Sequence, residues 1–451
     1  MNRREFVRTS ALAGLAAPLA SSLGAAQGSS DRRVRVGIVG VGERGTGLTR
    51  VLLNLDNVEI KAIADVDESH QARAQKICTD AGREQPAGYS RGPEDFRRLV
   101  ERDDLDAVIT ATPWEWHVPV MLATLDAGKY GATEVPAAVT VDECWALVER
   151  SEKTGIPCMM LENACYGRDF LAVFNLIRAG LLGEIFHCES GYNHDVRYVK
   201  FDTQKEDGYA DEGKLRWRGV HSVNRNGNLY PTHQLGPVAL IMDLGRGTRM
   251  KYLVSMSTPQ HGLTNYIKER FGEAHSLAKQ PFKNGDVNTT LIKLDNGNTI
   301  TQYHDTQSWR PRDDIHRYHG TKGVVARTQK KIYTIDEHWD RAKETNEWRW
   351  RELQPYIEKY DHPLWQKYGE RARSHGHGGT DWMTMRGFIE AVRHRTQTPL
   401  TVYDAASWSV VAPLSEQSVA NGSQPVDFPD FTKGKWKSTP RFEMPSEVTA
   451  G

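Results

Sequence analysis

The sequence predicts an α/β protein with two parts: an N-terminal doubly wound parallel sheet of the Rossmann type, then an α+β domain with a mostly antiparallel sheet. Three observations carry this. Apolar strand-like runs alternate with amphipathic helical segments over residues 32–165. A glycine-rich turn joins the first such run to the first helical segment. Beyond residue 165 the pattern changes to hairpin signals, with Asp295-Asn296-Gly297-Asn298 between Thr289–Leu294 and Thr299–Tyr303. At 451 residues the chain exceeds what one hydrophobic core usually serves. Two domains are therefore expected, 32–165 and 166–451.

Val34–Val39 reads as the first strand. Gly40-x-Gly42-x-x-Gly45 follows, enclosing Glu43 and Arg44, and a helix runs on through Leu48, Val51, Leu52 and Leu55. A dinucleotide pyrophosphate needs this order, because it requires close backbone approach and a helix N-terminus facing its charge. The second strand, Val58–Ala64, ends at Asp65, which lies about 20 residues past the last glycine, where an acceptor for a ribose 2′-hydroxyl belongs. A carboxylate there repels a 2′-phosphate, so the expected cofactor is NAD rather than NADP.

Asp106–Thr112 reads as a buried strand ending at Pro113-Trp114-Glu115-Trp116-His117. Carboxyl ends of parallel strands form the ligand crevice, so these residues are expected to face the cofactor. Val118–Gly128 reads as a helix, Tyr130–Pro136 as a strand with its exit loop, and Asp142–Thr154 as a helix. Pro157–Leu161 then leads to Glu162-Asn163. In the second domain a helix is expected near Phe170–Ala179 and β-structure over Glu184–Tyr192. Residues 330–375 are charged and tryptophan-rich without clean periodicity, and are expected to form an excursion of no assigned fold. Trp382–Arg395 reads as a helix, and it and the Ala405–Val419 stretch are expected to return to the nucleotide-binding domain.

The 58 basic and 58 acidic residues balance, which argues against a nucleic-acid or membrane-surface partner. At the N-terminus, Arg3-Arg4-Glu5-Phe6-Val7-Arg8 precedes an apolar segment, Ala11–Ala20, and then the small residues Gly24-Ala25-Ala26. Residues 1–30 thus resemble a twin-arginine export signal, too short for a stable membrane anchor, and imply a periplasmic or secreted protein. The five cysteines show no paired spacing and read as buried thiols. Asp361-His362-Pro363 and His316-Arg317-Tyr318-His319 lack further ligands at convincing spacing, so no metal is expected.

Five clusters say more than periodicity can. Trp114-Glu115-Trp116-His117, Leu161-Glu162-Asn163, Gly191-Tyr192-Asn193-His194-Asp195, Tyr230-Pro231-Thr232-His233 and Gly376-His377-Gly378-Gly379 together resemble glycoside hydrolase family 109. These are NAD-dependent α-N-acetylgalactosaminidases within the Gfo/Idh/MocA-type oxidoreductase superfamily. The resemblance runs from about Val34 to Trp436. It implies NAD contacts at Glu43, Arg44, Asp65, Trp114, Glu115, Trp116, His117, Glu134, Val135 and Asn163. It implies substrate contacts at Tyr192, Arg218, Tyr230, Pro231, Thr232 and His233. His233 and Tyr192 are then the candidates for proton transfer, with His194 and Tyr230 beside them. His117, Glu162 and His377 are expected to orient the nicotinamide or a loop.

Two positions depart from the wider pattern. The oxidoreductases usually carry a Glu-Lys-Pro lysine, where this chain has Glu134-Val135-Pro136. That favours a glycosidase over the alternative, a periplasmic NAD(P)-dependent sugar oxidoreductase. In Arg310-Pro311-Arg312, Arg312 stands where the glycosidases resembled here have a substrate-contacting tyrosine, so a cation is expected at the sugar.

The chemistry implied by the resemblance avoids the usual pair of flanking carboxylates. Hydride leaves C3 of the sugar, the resulting ketone acidifies the C2 proton, and elimination expels the C1 substituent. Water then adds and hydride returns to C3, so no net redox change occurs. The protein must supply bases near neutral pH and polarise the C3 carbonyl, which suits His233 and Tyr192 if a nearby cation lowers the tyrosine's pKa. A non-catalytic sugar binder is a third reading. The Tyr192 and Tyr230–His233 sets weigh against it. The exposed sheet of the second domain also suits a homodimer.

Overall fold

A computed structural model describes residues 32–202, 213–340, 345–346 and 348–445. The expected export signal, residues 1–30, lies outside them. The first sheet comprises β1 (Val34–Val39), β2 (Val58–Ala64), β3 (Ala87–Tyr89), β4 (Ala107–Thr110), β5 (Tyr130–Thr133) and β6 (Cys158–Met160). All pairs are parallel, in the order β3-β2-β1-β4-β5-β6. Helices α1 (Glu43–Leu53), α2 (Glu68–Asp80), α3 (Phe96–Val100), α4 (His117–Asp126) and α5 (Val141–Thr154) connect these strands. With helices packed against it, the sheet is buried, and so β4 is buried at every residue, Ala107, Val108 and Ile109 running without a polar break to Thr110. Helix α5 starts in a reciprocal Thr140–Glu143 capping box and stops at left-handed Gly155, which explains its clear sequence signature. The chain order reverses between β1 and β4, so the ligand crevice opens at their carboxyl ends.

After α6 (Arg168–Arg178) the second sheet forms from β7 (Ile185–Asn193), β8 (Met250–Ser257), β9 (Val287–Leu294), β10 (Thr299–Asp305), β11 (Ile315–Gly320), β12 (Gly323–Ala326) and β13 (Lys331–Thr334). Their order is β13-β12-β11-β7-β10-β9-β8, with the short strands Arg351–Glu352 and Val426–Asp427 at the two edges. Every neighbouring pair is antiparallel except β7 with β10. Between β7 and β8 lie α7 (Trp217–Asn224) and α8 (Thr232–Ile241), and α9 (Gly262–Phe271) follows β8. Helix α8 packs on β7 and β11. Cys188, Ser190, Ile300 and Tyr318 on that face are buried, whereas Met256 and Leu291 are 62% and 54% exposed. That alternation places Tyr192 on the covered side, toward α8.

Residues 330–375 are more ordered than the sequence predicts. They supply β13, an edge strand and helices Gln354–Lys359 and Pro363–Ala372. Leu353, Ile357, Leu364, Trp365 and Ala372 are buried, but they are shared between two short helices, so neither shows a full helical period. His362 caps the second helix by accepting from Leu364 N, beside Pro363 in its first turn. Helix Thr380–His394 packs on α1 and β1, and Val402–Ser409 packs on α5 and β6. The Ala405–Val419 stretch spans two helices, and the second, Val411–Ala420, lies on β8 of the second sheet rather than on the nucleotide-binding domain. All five cysteines are free and buried. Among the described residues, no helix is long and apolar enough to cross a membrane.

Candidate active site

The glycine turn is shaped by contacts that exclude side chains. Gly40 is left-handed (φ 81°), and a Cβ there would meet Thr112 N at 2.8 Å. A Cβ on Gly45 would lie 1.9 Å from the Gly40 carbonyl oxygen, so only glycine lets α1 begin this close to β1. At Gly42 the nearest atom to such a Cβ is His70 Cε1 at 3.9 Å, so the free space there lies outside the protein's own packing. Asp65 accepts from Val41 N (2.7 Å) and Asp67 N (2.9 Å), which fixes its carboxylate at the end of β2. An open glycine cradle at a helix N-terminus beside a fixed carboxylate fits a dinucleotide diphosphate and its ribose.

Arg44 ties this turn to the rest of the molecule. It donates to Glu134 (2.7 Å) and, with both terminal nitrogens, to Asp381 (2.6 and 2.9 Å). Asn163 donates to the same Asp381 at 2.6 Å, and His377 Nδ1 lies 2.8 Å from it. Burial alone would raise the Asp381 pKa, but hydrogen bonds from His377 and Arg44 hold it far below the usual carboxylate range. Sequence reasoning missed Asp381. Its signal was an acid two residues after Gly378-Gly379, in the first turn of a helix.

On the substrate side, β7 delivers Tyr192 and the residue after its end is His194, while the start of α8 delivers the Tyr230–His233 segment. Tyr230 Oη lies 3.2 Å from His233 Nε2, and His233 Nδ1 lies 2.6 Å from Glu162 Oε1. Glu162 is fully buried and also accepts from Ala164 N at 3.1 Å. The Tyr192 ring stands 5.2 Å from Tyr230, 5.8 Å from His233 and 6.1 Å from His194. Trp114 stacks on Tyr230 at 5.7 Å and also contacts Trp217 and His221, two aromatic groups that sequence reasoning did not select. The Arg218 guanidinium sits 4.1 Å from the Trp217 ring centre and 5.8 Å from that of Trp114. Trp217 adjoins Arg218 in the chain, but only the fold sets it edge-on against Trp114, at 5.2 Å.

Burial works against the charged state of His233, yet Glu162 outweighs it and raises the histidine's pKa above the ordinary value. Tyr192 is pushed up to about 12 by burial, although the charges of Arg312 and Arg218 pull the other way. The tyrosine is therefore a neutral hydrogen-bond donor at rest; the cations do not lower its pKa enough to make it a base. Burial likewise raises Tyr230 and lowers His194. Arg312 pairs with Asp314 at 2.7 Å, its side chain more than half exposed, with its charge felt at Tyr192 and His194.

Some expected site residues stand apart. Glu43 is exposed. Glu115 is exposed and reaches His221 at 3.5 Å, and Trp116 turns its ring to Phe96 at 6.3 Å. His117 is buried between the carbonyls of Pro136 (2.7 Å) and Thr112 (3.0 Å), and burial lowers its pKa. Val135 is buried directly after Glu134, and the Pro231 carbonyl accepts from Gln302 at 2.8 Å. Thr232 is fully buried at the head of α8.

A Rossmann sheet with a cofactor cradle, beside a second sheet whose strand β7 and covering helix α8 bring Tyr192 and His233 together, defines an NAD-binding protein of the oxidoreductase fold. The family model described as "Oxidoreductase family, NAD-binding Rossmann fold" matches residues 34–161. The one described as "Glycosyl hydrolase 109, C-terminal domain" matches residues 166–438. A glycosyl hydrolase family 109 protein of Shewanella sp. (strain W3-18-1) is 43% identical over 405 residues, covering 90% of this chain and 86% of the relative. Another, from Stenotrophomonas maltophilia (strain K279a), is 38% identical over 449 residues, 97% of each chain. Among solved structures, an NAD binding oxidoreductase from Klebsiella pneumoniae matches with TM-score 0.67 at 16% identity, over 88% of this chain and 99% of its own. A levoglucosan dehydrogenase in complex with NADH and L-sorbose matches with TM-score 0.66 at 20% identity, over 89% and 100%. At these identities the structural likeness is one of fold. The chain belongs to glycosyl hydrolase family 109, and is an NAD-dependent glycoside hydrolase.

Proposed function

We propose that the enzyme hydrolyses terminal α-linked N-acetylgalactosamine by oxidation at C3, elimination, water addition and re-reduction, with Tyr230, His233 and Glu162 as its proton relay. The observation that carries this reading is the hydrogen-bonded line from Tyr230 Oη through His233 to Glu162. Gly40, Gly42, Gly45 and Asp65 would hold NAD, which when bound would supply the hydride-transfer chemistry at C3.

The Glu162 carboxylate takes the Nδ1–H of His233, which leaves Nε2 as an acceptor for the Tyr230 hydroxyl. When Tyr230 removes a substrate proton, its own proton passes to Nε2, and the resulting imidazolium is stabilised by Glu162. Tyr230 thus touches the sugar and His233 stands behind it. Tyr192, kept neutral, donates a hydrogen bond to the oxygen that gains negative charge at C3. Trp114 backs Tyr230 by stacking on it, and Arg218 and Arg312 offer donors to the substituents of the sugar. Export by the twin-arginine route suits the redox-neutral cycle, since a folded protein crosses with its NAD already bound. The open face of the second sheet, with Met256 and Leu291 exposed, suits a homodimer.

The test uses purified protein with no added NAD, a chromogenic α-N-acetylgalactosaminide and heavy water. Chromophore release with deuterium at C2 of the product is expected. Release without deuterium overturns the elimination route. If nothing is released although NAD is found in the denatured extract, the assigned sugar is wrong and Arg312 selects another.

A further inference from the structure

His187, Glu189 and His319 present a different chemistry on the opposite face of the second sheet. One ring nitrogen of each histidine and a carboxylate oxygen of Glu189 all lie within 4.8 Å of one another. Strand pairing sets the group up. His319 of β11 is the register partner of His187 of β7, and Glu189 follows on the same face two residues later. The imidazoles stand 5.3 Å apart, centre to centre. His319 Nε2 already lies 2.9 Å from Glu189 Oε1, so the two groups converge on one point. Thr299, the register partner of His187 on β10, holds that ring by Nδ1 at 2.8 Å, the kind of outer contact that orients a metal-ligating imidazole. Arg317 Nη1 also reaches Glu189, at 3.1 and 3.4 Å to its two oxygens. A carboxylate has about four lone-pair positions, so it can serve both the guanidinium and a cation.

We propose that His187, Glu189 and His319 form a binding site for a borderline divalent cation such as Zn²⁺, with water completing the coordination. Two imidazoles and a carboxylate suit such an ion and not Mg²⁺, which prefers all-oxygen shells. Binding would tie β7 to β11. Tyr192 lies three residues beyond Glu189 on the same strand and faces the other side, so the ion would brace the strand that carries it without entering the cleft. Neither the NAD cradle nor the proton relay is involved.

The experiment is a calorimetric titration of chelator-treated full-length enzyme with Zn²⁺, and separately with Mg²⁺, alongside His187→Ala, His319→Gln and Thr299→Val. Saturable binding of about one equivalent of Zn²⁺ is expected, with none of Mg²⁺. Each histidine variant should weaken Zn²⁺ binding by at least about tenfold, since each removes a ligand, and Thr299→Val by about tenfold as an outer contact. Bound NAD in the denatured extract and the thermal midpoint without metal report that each variant is folded. Unsaturable binding by the wild type overturns the proposal. So does Zn²⁺ affinity unchanged in folded His187→Ala and His319→Gln, because the ion would then sit elsewhere.

Discussion

Replacing Glu162 by glutamine tests the proton relay at its buried end. The variant keeps the side chain's shape and an acceptor for His233 Nδ1–H, which lies 2.6 Å from the carboxylate. It removes the negative charge that stabilises the imidazolium. A hydrogen bond to a charged group contributes about 1.5–3 kcal/mol, so kcat is expected to fall by roughly 10- to 150-fold. The pH profile adds a sign. Glu162 raises the His233 pKa, and the relay needs Nε2 unprotonated, so turnover in the wild type rises as pH climbs through that raised value. Without the carboxylate the histidine gives up its proton more readily, and the acidic limb of kcat must move to lower pH. The assay is kcat between pH 5 and 9 on a chromogenic substrate, with NAD content measured in each preparation. A limb that stays in place, or kcat within threefold of wild type with NAD retained, refutes the relay.

Tyr230→Phe removes the hydroxyl 3.2 Å from His233 Nε2 and should lower kcat by about 10²- to 10⁴-fold with little change in melting temperature, read by steady-state kinetics and a thermal scan. Asp65→Ala deletes the acceptor for Val41 N and for the cofactor ribose; NAD affinity should drop by about 10- to 150-fold, measured by fluorescence titration of the stripped protein. Gly45→Ala places a methyl group 1.9 Å from the Gly40 carbonyl oxygen; a loss of about 1–3 kcal/mol in urea unfolding and NAD-free preparations are expected. Asp381→Asn leaves Arg44 with one carboxylate partner instead of two and should cost about 1–3 kcal/mol of stability, checked by the same unfolding experiment.

Much of the first domain was legible because its signals are local. A strand, three glycines, a helix and an acid occupy one continuous stretch from Val34 to Asp65, and each is required by the backbone geometry of that stretch itself. The hairpin of β9 and β10 was equally local, with Asp295-Asn296-Gly297-Asn298 at its turn. Residues 350–375 hid their helices, since their buried positions are split between two short segments and close against α6 and the Thr380–His394 helix. The site divides the same way. His233, Tyr192 and the Tyr230 segment could be selected by resemblance, but their roles could not. Only tertiary packing puts Glu162 against His233, burial rather than the nearby arginines in charge of Tyr192, and Trp217 beside Trp114. Asp381 meets Arg44 across 337 residues of chain, and His319 meets Glu189 across 130. Hydrogen bonding and charge act through space at a few ångströms. The sequence by itself determined the elements whose signals are local and which cofactor they cradle; which side chains come near enough to share a proton, or a metal ion, was decided by the fold.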